Sequence, residues 1–529
     1  MQREMTSHPS PASFAAAFLV LACATHAQTV ELVLDLNPGA RGSGPSFLTP
    51  YRGDIYFRAN SGLQNVELWR YDGSSGAQVA EINPNGSSTP TDLTVADDTL
   101  YFAADDGTGQ RLWSWNGTNA VKIAAANTIS GAQEMIAFNG ALYFRGTKFG
   151  TVGIELFKFD GSALTTIDIY PGTGSSFPQH FVEYNGALYF NANGQSGQGS
   201  ELWRYNGTTL SKAGQNIHPG NGSAPAWLCV FRGQLYFSAY DGVHGTELWR
   251  FDGNNSALVE DKVPGGQYAS FNPNGMTVFK DALYFSAHDG SAAGYELWKF
   301  DGTSITMVAN INPNPPGPGG DDFLADSNPS NFTVHDNRLF FTADDGSHGS
   351  ELWVYDGHNA PQMVADIHPG QYGSNQGGLR SVNDVVYLRA DSGDGFGQEL
   401  YRVVPAAVVD NDSDGLPDDW EIEHGLNPLL NDASADKDAD GISNAGEFAA
   451  GTFPETPTSV YQVAIDRDRR LSWPSVPGRT YRVEINGGSG WTLFRTVSAA
   501  PAPADRTLLS VDAPEGAEVA LFRVVVTAE

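Results

Sequence analysis

The feature that most constrains this chain is a short phrase that it repeats eight times. The phrase reads ELW, two variable residues, then DG, and its copies, some of them imperfect, begin at positions 67, 111, 155, 201, 247, 296, 351 and 399. A spacing of 44 to 55 residues is typical of a structural unit made of four short β-strands. A catalytic motif acts at one pocket and has no reason to recur at a steady interval. The repeat therefore predicts a scaffold.

Each repeat has the pattern of four strands. A run such as ALYFNA precedes the phrase, a Gly-rich hairpin joins the two, and a strand such as TTIDIYPG follows. A variable stretch, for example residues 225–233, supplies the remaining strand. Within the phrase Leu68 lies on one face, and Trp69 and Tyr71 lie on the other. Because both faces are apolar, the sheets are expected to stack face to face as propeller blades.

The two ends of the repeat region complement each other. Residues 29–39 read like the strand that follows the phrase, whereas the last copy, at 399, lacks that strand. The N-terminal segment is therefore predicted to complete the final blade, which leaves no open sheet edge. The sequence predicts an all-β fold with an eight-bladed β-propeller over residues 28–404, closed by its N-terminal strand. An open solenoid is the alternative, although it needs capping repeats that are not recognisable here.

Residues 29–404 resemble the bacterial ELWxxDGT repeat proteins, which are named after this phrase. The resemblance implies an exported repeat protein and assigns no activity to it. Glutamate begins seven of the eight copies, and Arg111 replaces it in the second. A hydrogen bond from this glutamate to its own Gly-rich hairpin is the simplest expectation. A metal site built from hairpin aspartates is the alternative; these residues are Asp106, Asp241, Asp289 and Asp345.

The N-terminal 27 residues read as a secretory signal. Arg3 precedes an apolar run that is too short to span a membrane as a helix, and cleavage is expected after Ala27. The alternative is a lipobox, in which Cys23 would carry a lipid anchor. The protein is therefore predicted to be secreted or exposed at the cell surface, or else to be an outer-membrane lipoprotein, without a transmembrane segment.

The charge balance excludes one class of partner. The chain has 61 acidic and 30 basic residues, a formal net charge of −31, and no basic stretch, so a nucleic-acid backbone would be repelled. Only two cysteines occur, Cys23 and Cys229. Once the signal is removed, no intrachain disulfide can form, and Cys229 is expected to be an inert buried residue.

Two twelve-residue segments, 410–421 and 436–447, match the EF-hand calcium loop. Calcium prefers a shell of carboxylate and carbonyl oxygens closed by a bidentate glutamate, and so many neighbouring carboxylates are unfavourable without a cation. A solvated acidic linker is the alternative. The predicted Ca²⁺ ligands are Asp410, Asp412, Asp414, Leu416 (by its carbonyl), Asp418 and Glu421 in the first loop, and Asp436, Asp438, Asp440, Ile442 (by its carbonyl), Asn444 and Glu447 in the second.

Each calcium loop is expected to run into a short helix that ends at a glycine, Gly425 or Gly451. No helix is predicted to enter the first loop, so the pair is EF-hand-like rather than a full EF-hand. The segment 405–455 resembles the thrombospondin type 3-like calcium repeats of bacterial exoproteins, which implies a structural spacer. Residues 459–529 return to alternating strands and predict a small C-terminal β-sandwich.

No recognised active-site motif occurs, so the sequence favours a protein without enzymatic activity and leaves the question open. We expect an exported, calcium-stabilised binding or adhesion protein that presents a propeller face to a glycan or cell-surface protein. One alternative is a propeller enzyme acting on polysaccharide through the insertion 312–331, whose candidate acids are Asp321, Asp322 and Asp326. Another is a structural component of the cell surface.

Overall fold

The computed structural model describes most of the propeller, the segment after it, and the strands of the C-terminal module. The described residues are 28–404 except 40, 63–64, 149, 196, 198, 315–324 and 375; 410–456 except 440 and 451; and the strands between 464 and 527. The predicted signal with Cys23 and its cleavage site after Ala27, the candidates Asp321 and Asp322, and the predicted ligand Asp440 lie outside the described residues.

The repeat region forms eight four-stranded antiparallel sheets, one for each repeat, and thus an eight-bladed β-propeller. In each of the first four blades the strands follow one another in chain order. These strands are β2 (Ser46–Tyr51), β3 (Asp54–Asn60), β4 (Val66–Tyr71) and β5 (Gly76–Ala80); β6 (Thr91–Ala96), β7 (Thr99–Asp105), β8 (Gln110–Trp115) and β9 (Ala120–Lys122); β10 (Ile129–Phe138), β11 (Ala141–Lys148), β12 (Val152–Phe159) and β13 (Leu164–Ile167); β14 (Gln179–Tyr184), β15 (Ala187–Asn193), β16 (Ser200–Tyr205) and β17 (Leu210–Lys212).

Blades 5 to 7 repeat this order, and blade 8 differs only in its last strand, which comes from the N-terminal end of the described chain. The strands are β18 (Ala226–Phe231), β19 (Gln234–Tyr240), β20 (Thr246–Phe251) and β21 (Ser256–Leu258); β22 (Asn274–Phe279), β23 (Ala282–Ala287), β24 (Glu296–Phe300) and β25 (Ile305–Ala309); β26 (Ser330–His335), β27 (Arg338–Asp344), β28 (Ser350–Tyr355) and β29 (Gln362–Ala365); β30 (Gly377–Val382), β31 (Val385–Asp391), β32 (Gln398–Val404) and β1 (Thr29–Leu34).

The ring closes as the sequence predicts. Strand β1 pairs antiparallel with β32, so that Thr29 lies opposite Val404 and Leu32 lies opposite Tyr401. The first strand of each blade contacts the first strand of the next, including β30 with β2, and these strands therefore form the innermost ring. The propeller prediction and its closure by the N-terminal strand are confirmed, and the open solenoid is wrong.

The apolar core is divided among the eight joins between neighbouring blades. At the join of blades 1 and 2, Tyr56 and Leu68 pack against Leu100 and Phe102. Tyr71, on the opposite face of the phrase from Leu68, packs instead into the join of blades 1 and 8. Both faces of a blade are thus buried, as the sequence pattern predicts, and burial of these aromatic side chains stabilises every join.

The propeller has two faces with different loops. One face, here called the lower face, carries the turns between the first and second strands of each blade. Both central residues of these turns have positive φ, as in Asn185 (46°) and Gly186 (67°), the geometry of the type I′ hairpin. The other face, here called the upper face, carries the hairpins between the second and third strands and the connections from one blade to the next.

Beyond the propeller, two short helices follow the predicted calcium loops, α1 (Asp418–Glu423) and α2 (Asn444–Ala450). The C-terminal module contains two three-stranded antiparallel sheets, which is compatible with a sandwich, while the packing of one sheet on the other stays a prediction. Their strands are β33 (Ala464–Ile465), β34 (Arg470–Pro474) and β37 (Leu508–Asp512) in one sheet, and β35 (Thr480–Asn486), β36 (Trp491–Ser498) and β38 (Leu521–Thr527) in the other.

Candidate functional site

The glutamate that begins the repeated phrase is a structural residue. Glu67 is fully buried, and its carboxylate accepts hydrogen bonds from the N–H of Ser88, at 2.8 Å, and from the Ser88 hydroxyl. The carbonyl of Ser88 in turn accepts the N–H of Asp105, at 2.9 Å, from the second strand of blade 2. The expected bond to the glutamate's own hairpin is wrong, because the partner lies in the connection to the next blade.

This arrangement, here called the glutamate clamp, recurs in every blade that has the glutamate. The sequence carries a matching signal outside the repeated phrase, a serine 21 to 23 residues after the glutamate in four blades and 31 residues after it in blade 6. The serine that serves the last glutamate comes instead from the N-terminal end of the described chain. In one blade a backbone N–H, that of Phe271, replaces the serine. The other pairs are Glu155 with Ser176, Glu201 with Ser223, Glu247 with Phe271, Glu296 with Ser327, Glu351 with Ser374, and Glu399 with Ser43.

The loop aspartates that the sequence suggests for catalysis or metal binding mostly form hydrogen bonds within their own loops. Asp326, a candidate catalytic acid, is buried and accepts the N–H of Tyr295 at 2.8 Å, so it anchors the connection between blades 6 and 7. The hairpin residue Asp241 accepts backbone N–H groups and contacts the His244 ring at 2.6 Å. Burial raises the pKa of Cys229 to about 11, which keeps this thiol protonated and inert at neutral pH.

A second repeat position has a different character and lies at the inner rim of the upper face. In each blade the innermost strand contains a β-bulge, and the residue after the pairing position that precedes this bulge has positive φ. In blade 3, where β10 has two shifts in register, that pairing position is Gln133, ahead of the second shift. These eight residues, here called the mouth ring, are Phe47, Asp92, Glu134, His180, Trp227, Gly275, Asn331 and Gly378.

The mouth ring breaks the symmetry of the repeat. Left-handed backbone favours glycine, yet only two of the eight positions are glycine, and the others bear aromatic, acidic, imidazole or amide side chains. Trp227 is 46% exposed and Phe47 is 39% exposed, which is unusual for large apolar side chains at a strained position. The clamp positions are nearly uniform from blade to blade, so chemical variety is concentrated at this rim.

Neighbouring members of the mouth ring contact one another across the blade joins. Asp92 accepts the N–H of Glu134 at 2.9 Å, and Glu134 accepts the N–H of His180 at 3.2 Å. The His180 ring lies 5.5 Å from the Trp227 ring, centroid to centroid. Burial raises the pKa of Asp92 and lowers the pKa of His180, so the imidazole is favoured in its neutral form.

A cleft adjoins Trp227 at the mouths of blades 5, 6 and 7. Its volume is about 560 Å³, within the range of small-molecule sites. The lining is rich in hydroxyl and amide groups, with two aromatic rings. It includes Trp227, Ser238, Asn272, Asn274, Ser286, Tyr295, Asn328 and Ser330. A surface of this composition is able to hydrogen-bond and stack on a polar ligand.

The first predicted calcium loop brings most of its carboxylates together. Oxygens of Asp410, Asp412 and Asp414 lie within 4.8 Å of one another, and so do oxygens of Asp414, Glu421 and Asp432. Glu421 is fully buried, and neither of its carboxylate oxygens has a hydrogen-bond partner among the described residues. Burial, followed by the neighbouring carboxylates, raises the pKa of Glu421 to about 7. These orphaned buried acceptors fit a divalent cation.

Other predicted ligands in this segment have local roles, and Asp432 was not predicted from the sequence. Asp418 accepts the N–H of Asn411 at 2.8 Å instead of joining the cluster. Asp414 accepts the N–H of Asp432, at 3.0 Å, and Asn444 of the second loop donates its side-chain amide to the Asp432 carbonyl, at 2.9 Å. Asp432 thereby connects the two loops. It was missed because it falls outside both twelve-residue patterns.

The remaining predicted ligands are described only in part. In the second loop, Asp436 accepts the N–H groups of Ala439 and Gly441 at 2.7 and 2.8 Å, as a loop of this kind requires. Glu447 is fully buried, as is Glu421 at the equivalent position. The aromatic rings of Trp420 on α1 and Phe448 on α2 lie 5.1 Å apart, so the two helices pack on each other. That Asp438, Leu416 and Ile442 bind Ca²⁺ stays a prediction.

Comparisons with known proteins bear on the fold alone. No protein-family model and no curated protein matches the chain. Among solved structures, it is similar to the β-propeller domain of the trilobed protease from Pyrococcus furiosus, with 12% identity and a TM-score of 0.38, over 61% of this chain and 98% of that one. It is also similar to a puromycin-hydrolysing peptidase from Mycobacterium tuberculosis (9%, TM-score 0.39, 69% of this chain and 61% of that one) and to an acylaminoacyl peptidase from Pyrococcus horikoshii (10%, TM-score 0.39, 66% and 58%).

The last two matches span less than two thirds of the peptidases concerned, and similarity at this level carries no argument about activity. Within the part of the chain that the structure describes, no helix is both long enough and apolar enough to cross a membrane.

Proposed function

We propose that the chain is an exported binding protein of the ELWxxDGT repeat type, which uses the mouth of its propeller to bind a glycan or a cell-surface protein. One observation carries this proposal: the mouth ring varies in chemistry from blade to blade, while the scaffold positions around it repeat. Exposed Trp227 and Phe47 offer faces on which a sugar ring can stack, and the hydroxyls and amides of the cleft offer hydrogen bonds.

Binding is favoured over catalysis because no described group at the mouth has the arrangement of a catalytic pair. Asp92 and Glu134 are the two acids of the mouth ring, and the hydrogen bond between them is donated by the backbone N–H of Glu134. His180 likewise contributes its backbone N–H to Glu134, and its ring packs against Trp227 at a tilt of 45°. A polysaccharide enzyme needs two carboxyl groups placed across a scissile bond, whereas the carboxylates of Asp92 and Glu134 each accept a backbone N–H of the neighbouring blade.

The segment 405–455 is proposed to be a calcium-stabilised spacer between the propeller and the C-terminal module, in line with its resemblance to thrombospondin type 3-like repeats. The buried, unpartnered oxygens of Glu421 and the acidic cluster around Asp414 support Ca²⁺ as its cation. The residues that would hold the ion in the first loop are Asp410, Asp412, Asp414 and Glu421, with Asp432 as an addition to the predicted set.

Binding is tested by glycan-array and pull-down screens with the purified chain. We expect the double variant Trp227→Ala/Phe47→Ala to lose the captured ligand, and the variant Tyr268→Ala, which removes an aromatic side chain that is 91% exposed outside the mouth ring, to retain it. A blank in both screens with the unaltered chain, or equal capture by all three proteins, would contradict the proposed site.

Calcium binding is tested by thermal unfolding with and without 10 mM Ca²⁺, a trial concentration set about tenfold above a weak extracellular Kd of about 1 mM, which corresponds to a stabilisation of about 1.4 kcal/mol. We expect the transition of the 405–455 segment to move upward, and Asp412→Ala/Asp438→Ala to abolish the shift. Asp289→Ala, in a propeller hairpin, is the control that should leave the shift intact. An unchanged transition in the unaltered protein would refute the spacer proposal.

A further inference from the structure

A ring of residues directly outside the mouth ring contains arginines in three blades only. The position is on the second strand of each blade, opposite the residue that precedes the bulge of the inner strand: Ser46 lies opposite Arg58, Gln133 opposite Arg145, and Gly377 opposite Arg389. The other five blades have Ala103, Asn191, Ser238, Ser286 and Thr342 there. Positive charge is therefore concentrated on one part of the rim.

Arg58 and Arg389 converge at the join of blades 8 and 1. Nη1 of Arg389 donates to the hydroxyl of Ser46 at 3.4 Å, across the join, and Ser46 is the cross-strand partner of Arg58. The Arg58 guanidinium lies over the ring of Phe47, 5.3 Å from its centroid. Two guanidinium groups and an exposed aromatic ring thus surround one point of the mouth.

Within the described part of the chain, no carboxylate neutralises these two arginines. Among the residues that the structure describes, neither Arg58 nor Arg389 forms an ion pair, and the buried Nε of Arg389 has no hydrogen-bond partner. Burial lowers the pKa of both, and the charge of Arg58 lowers the pKa of Arg389 further. Keeping two neighbouring, partly desolvated cations without an anion is unfavourable.

Arg145, at the same position in blade 3, has a neighbouring carboxylate that compensates part of its charge. It donates to Gln133 at 2.9 Å, and its charge offsets a small part of the rise that burial causes in the pKa of Asp92, so a carboxylate lies within its electrostatic reach. The rim therefore supplies counter-charge to one arginine of the ring and none to the other two. Nη1 of Arg389 contacts the Ser46 hydroxyl, but neither Arg58 nor Arg389 has an anionic acceptor among the described residues.

We propose that Arg58 and Arg389 form an oxyanion-binding site at the mouth of the propeller, which takes the carboxylate of an acidic saccharide while a sugar ring of that ligand packs on Phe47. Planar guanidinium groups bind carboxylates by paired, charge-assisted hydrogen bonds, and the adjacent aromatic face suits a saccharide better than a bare anion. The inference deepens the proposed binding function and rests on it for the saccharide part. A free inorganic anion shares the same chemistry and is separated from the saccharide by the experiment.

The test is titration calorimetry of the full chain with trigalacturonate, its neutral methyl ester, inorganic phosphate and inorganic sulfate. We expect trigalacturonate to bind at least about tenfold more tightly than the methyl ester. Arg58→Gln/Arg389→Gln should lose at least about tenfold in affinity for trigalacturonate, whereas Arg250→Gln, which removes an exposed arginine of blade 5, should bind within about twofold of the unaltered protein.

The outcomes separate this site from the general function. If saccharides bind the double variant and the unaltered protein equally, the binding function stands and the arginine site is refuted. If phosphate or sulfate binds in an arginine-dependent way and no saccharide binds in the calorimeter or on the array, the oxyanion site stands and the saccharide ligand is refuted. If none of the four probes binds the unaltered protein, the oxyanion site is refuted.

A stability measurement distinguishes ligand binding by Arg389 from a purely structural role of this residue. Because Arg389→Gln removes one of two adjacent positive charges, we expect the ligand-free variant to melt no lower than the unaltered protein. A melting temperature several degrees lower would show that the arginine supports the blade join and would overturn the assignment. Ligand-free protein in low salt is the condition to use, since salt screens the repulsion.

Discussion

The join between blades 2 and 3 differs from the other seven joins of the propeller. Seven joins contain a buried glutamate that receives hydrogen bonds from the connection to the next blade. In blade 2 Arg111 occupies that position, and its guanidinium donates to the carbonyl of its neighbour Gln110, at 2.7 Å. The connection is short, covers residues 123–128, and contains the 3-10 turn Ala124–Ala126.

Apolar contact takes the place of the polar clamp at this join. Ala126, Ile129 and Ala132 are buried in the core between blades 2 and 3, and β10 continues as a strand of ten residues with two shifts in register. A blade join can thus be closed by either hydrogen bonds or packing. The glutamate fixes the path of a longer connection, whose backbone N–H groups would otherwise be buried without partners.

The largest loss of stability is expected where the two ends of the propeller chain meet, in blade 8 and its connection to blade 1. Deleting residues 28–45 removes β1 and Ser43, which leaves β32 as an open edge and Glu399 without its serine. We expect the melting temperature of the propeller to fall by about 10 °C or more, and the protein to aggregate more readily, because an exposed edge strand pairs with other chains. Differential scanning calorimetry and light scattering measure the two effects.

The opposite result would contradict this prediction. A deletion protein that melts within about 2 °C of the unaltered chain and remains monomeric would show that the ring does not depend on its closing strand. A chain carrying alanines at the exposed positions of the same segment, with β1 kept in place, is the control for sequence changes that leave the backbone pairing intact.

A smaller loss of stability is expected from removing one glutamate clamp. Its size distinguishes a join closed by hydrogen bonds from the join of blades 2 and 3, which is closed by packing. Glu351 accepts hydrogen bonds from Ile367, Ser374 and Gln376, so Glu351→Ala leaves several buried donors without an acceptor. We expect a loss of about 3 kcal/mol or more, which lowers the melting temperature by about 5 °C or more. The same substitution at the equivalent position of blade 2, Arg111→Ala, should cost less than about 1 kcal/mol.

Equal losses from Glu351→Ala and Arg111→Ala would show that the two joins are not held in different ways. Urea denaturation of both variants beside the unaltered protein gives the comparison, and matched circular-dichroism spectra establish that each variant keeps its sheets.

The smallest predicted effect is a pH dependence that belongs to the clamped joins. Burial raises the pKa of Glu247, Glu296 and Glu399 to about 7, above the ordinary value for an exposed glutamate. Between about pH 4.5 and 7 the folded state therefore binds more protons than the unfolded state, so stability falls as pH rises through this window. We expect the propeller, kept in chelator to silence the calcium loops, to melt a few degrees higher at pH 5.5 than at pH 8.

The control for this prediction is Glu296→Gln, which removes one titrating carboxylate and should reduce the pH dependence while lowering stability at pH 5.5. A melting temperature that rises between pH 5.5 and pH 8 would contradict the proposed titration of the clamps. Arg111 has no part in the effect, since the join of blade 2 lacks a carboxylate at this position.

The sequence was a good guide wherever a physical rule acts locally or repeats. The strand pattern, the number of blades and the pairing of the N-terminal segment with the last blade followed from alternation and period. Contacts between distant positions were harder to predict. For Glu67 the sequence predicts a partner in its own hairpin, because a polar group nearby in the chain is the simplest one, whereas the partner lies in the connection to the next blade. A twelve-residue pattern does not include a carboxylate from outside the loop, so it gives no sign that Asp432 lies beside Asp414 and Glu421.

The amino-acid sequence by itself determined that this chain forms a row of stacked sheets, and the structure decided that the row closes into a ring. Its apolar residues repeat on both faces of each strand, and only stacking buries both faces. The tertiary structure alone decided which side chains share the mouth. Phe47, Arg58 and Arg389 become neighbours because ring closure places the first blade beside the last, a juxtaposition that no local pattern encodes.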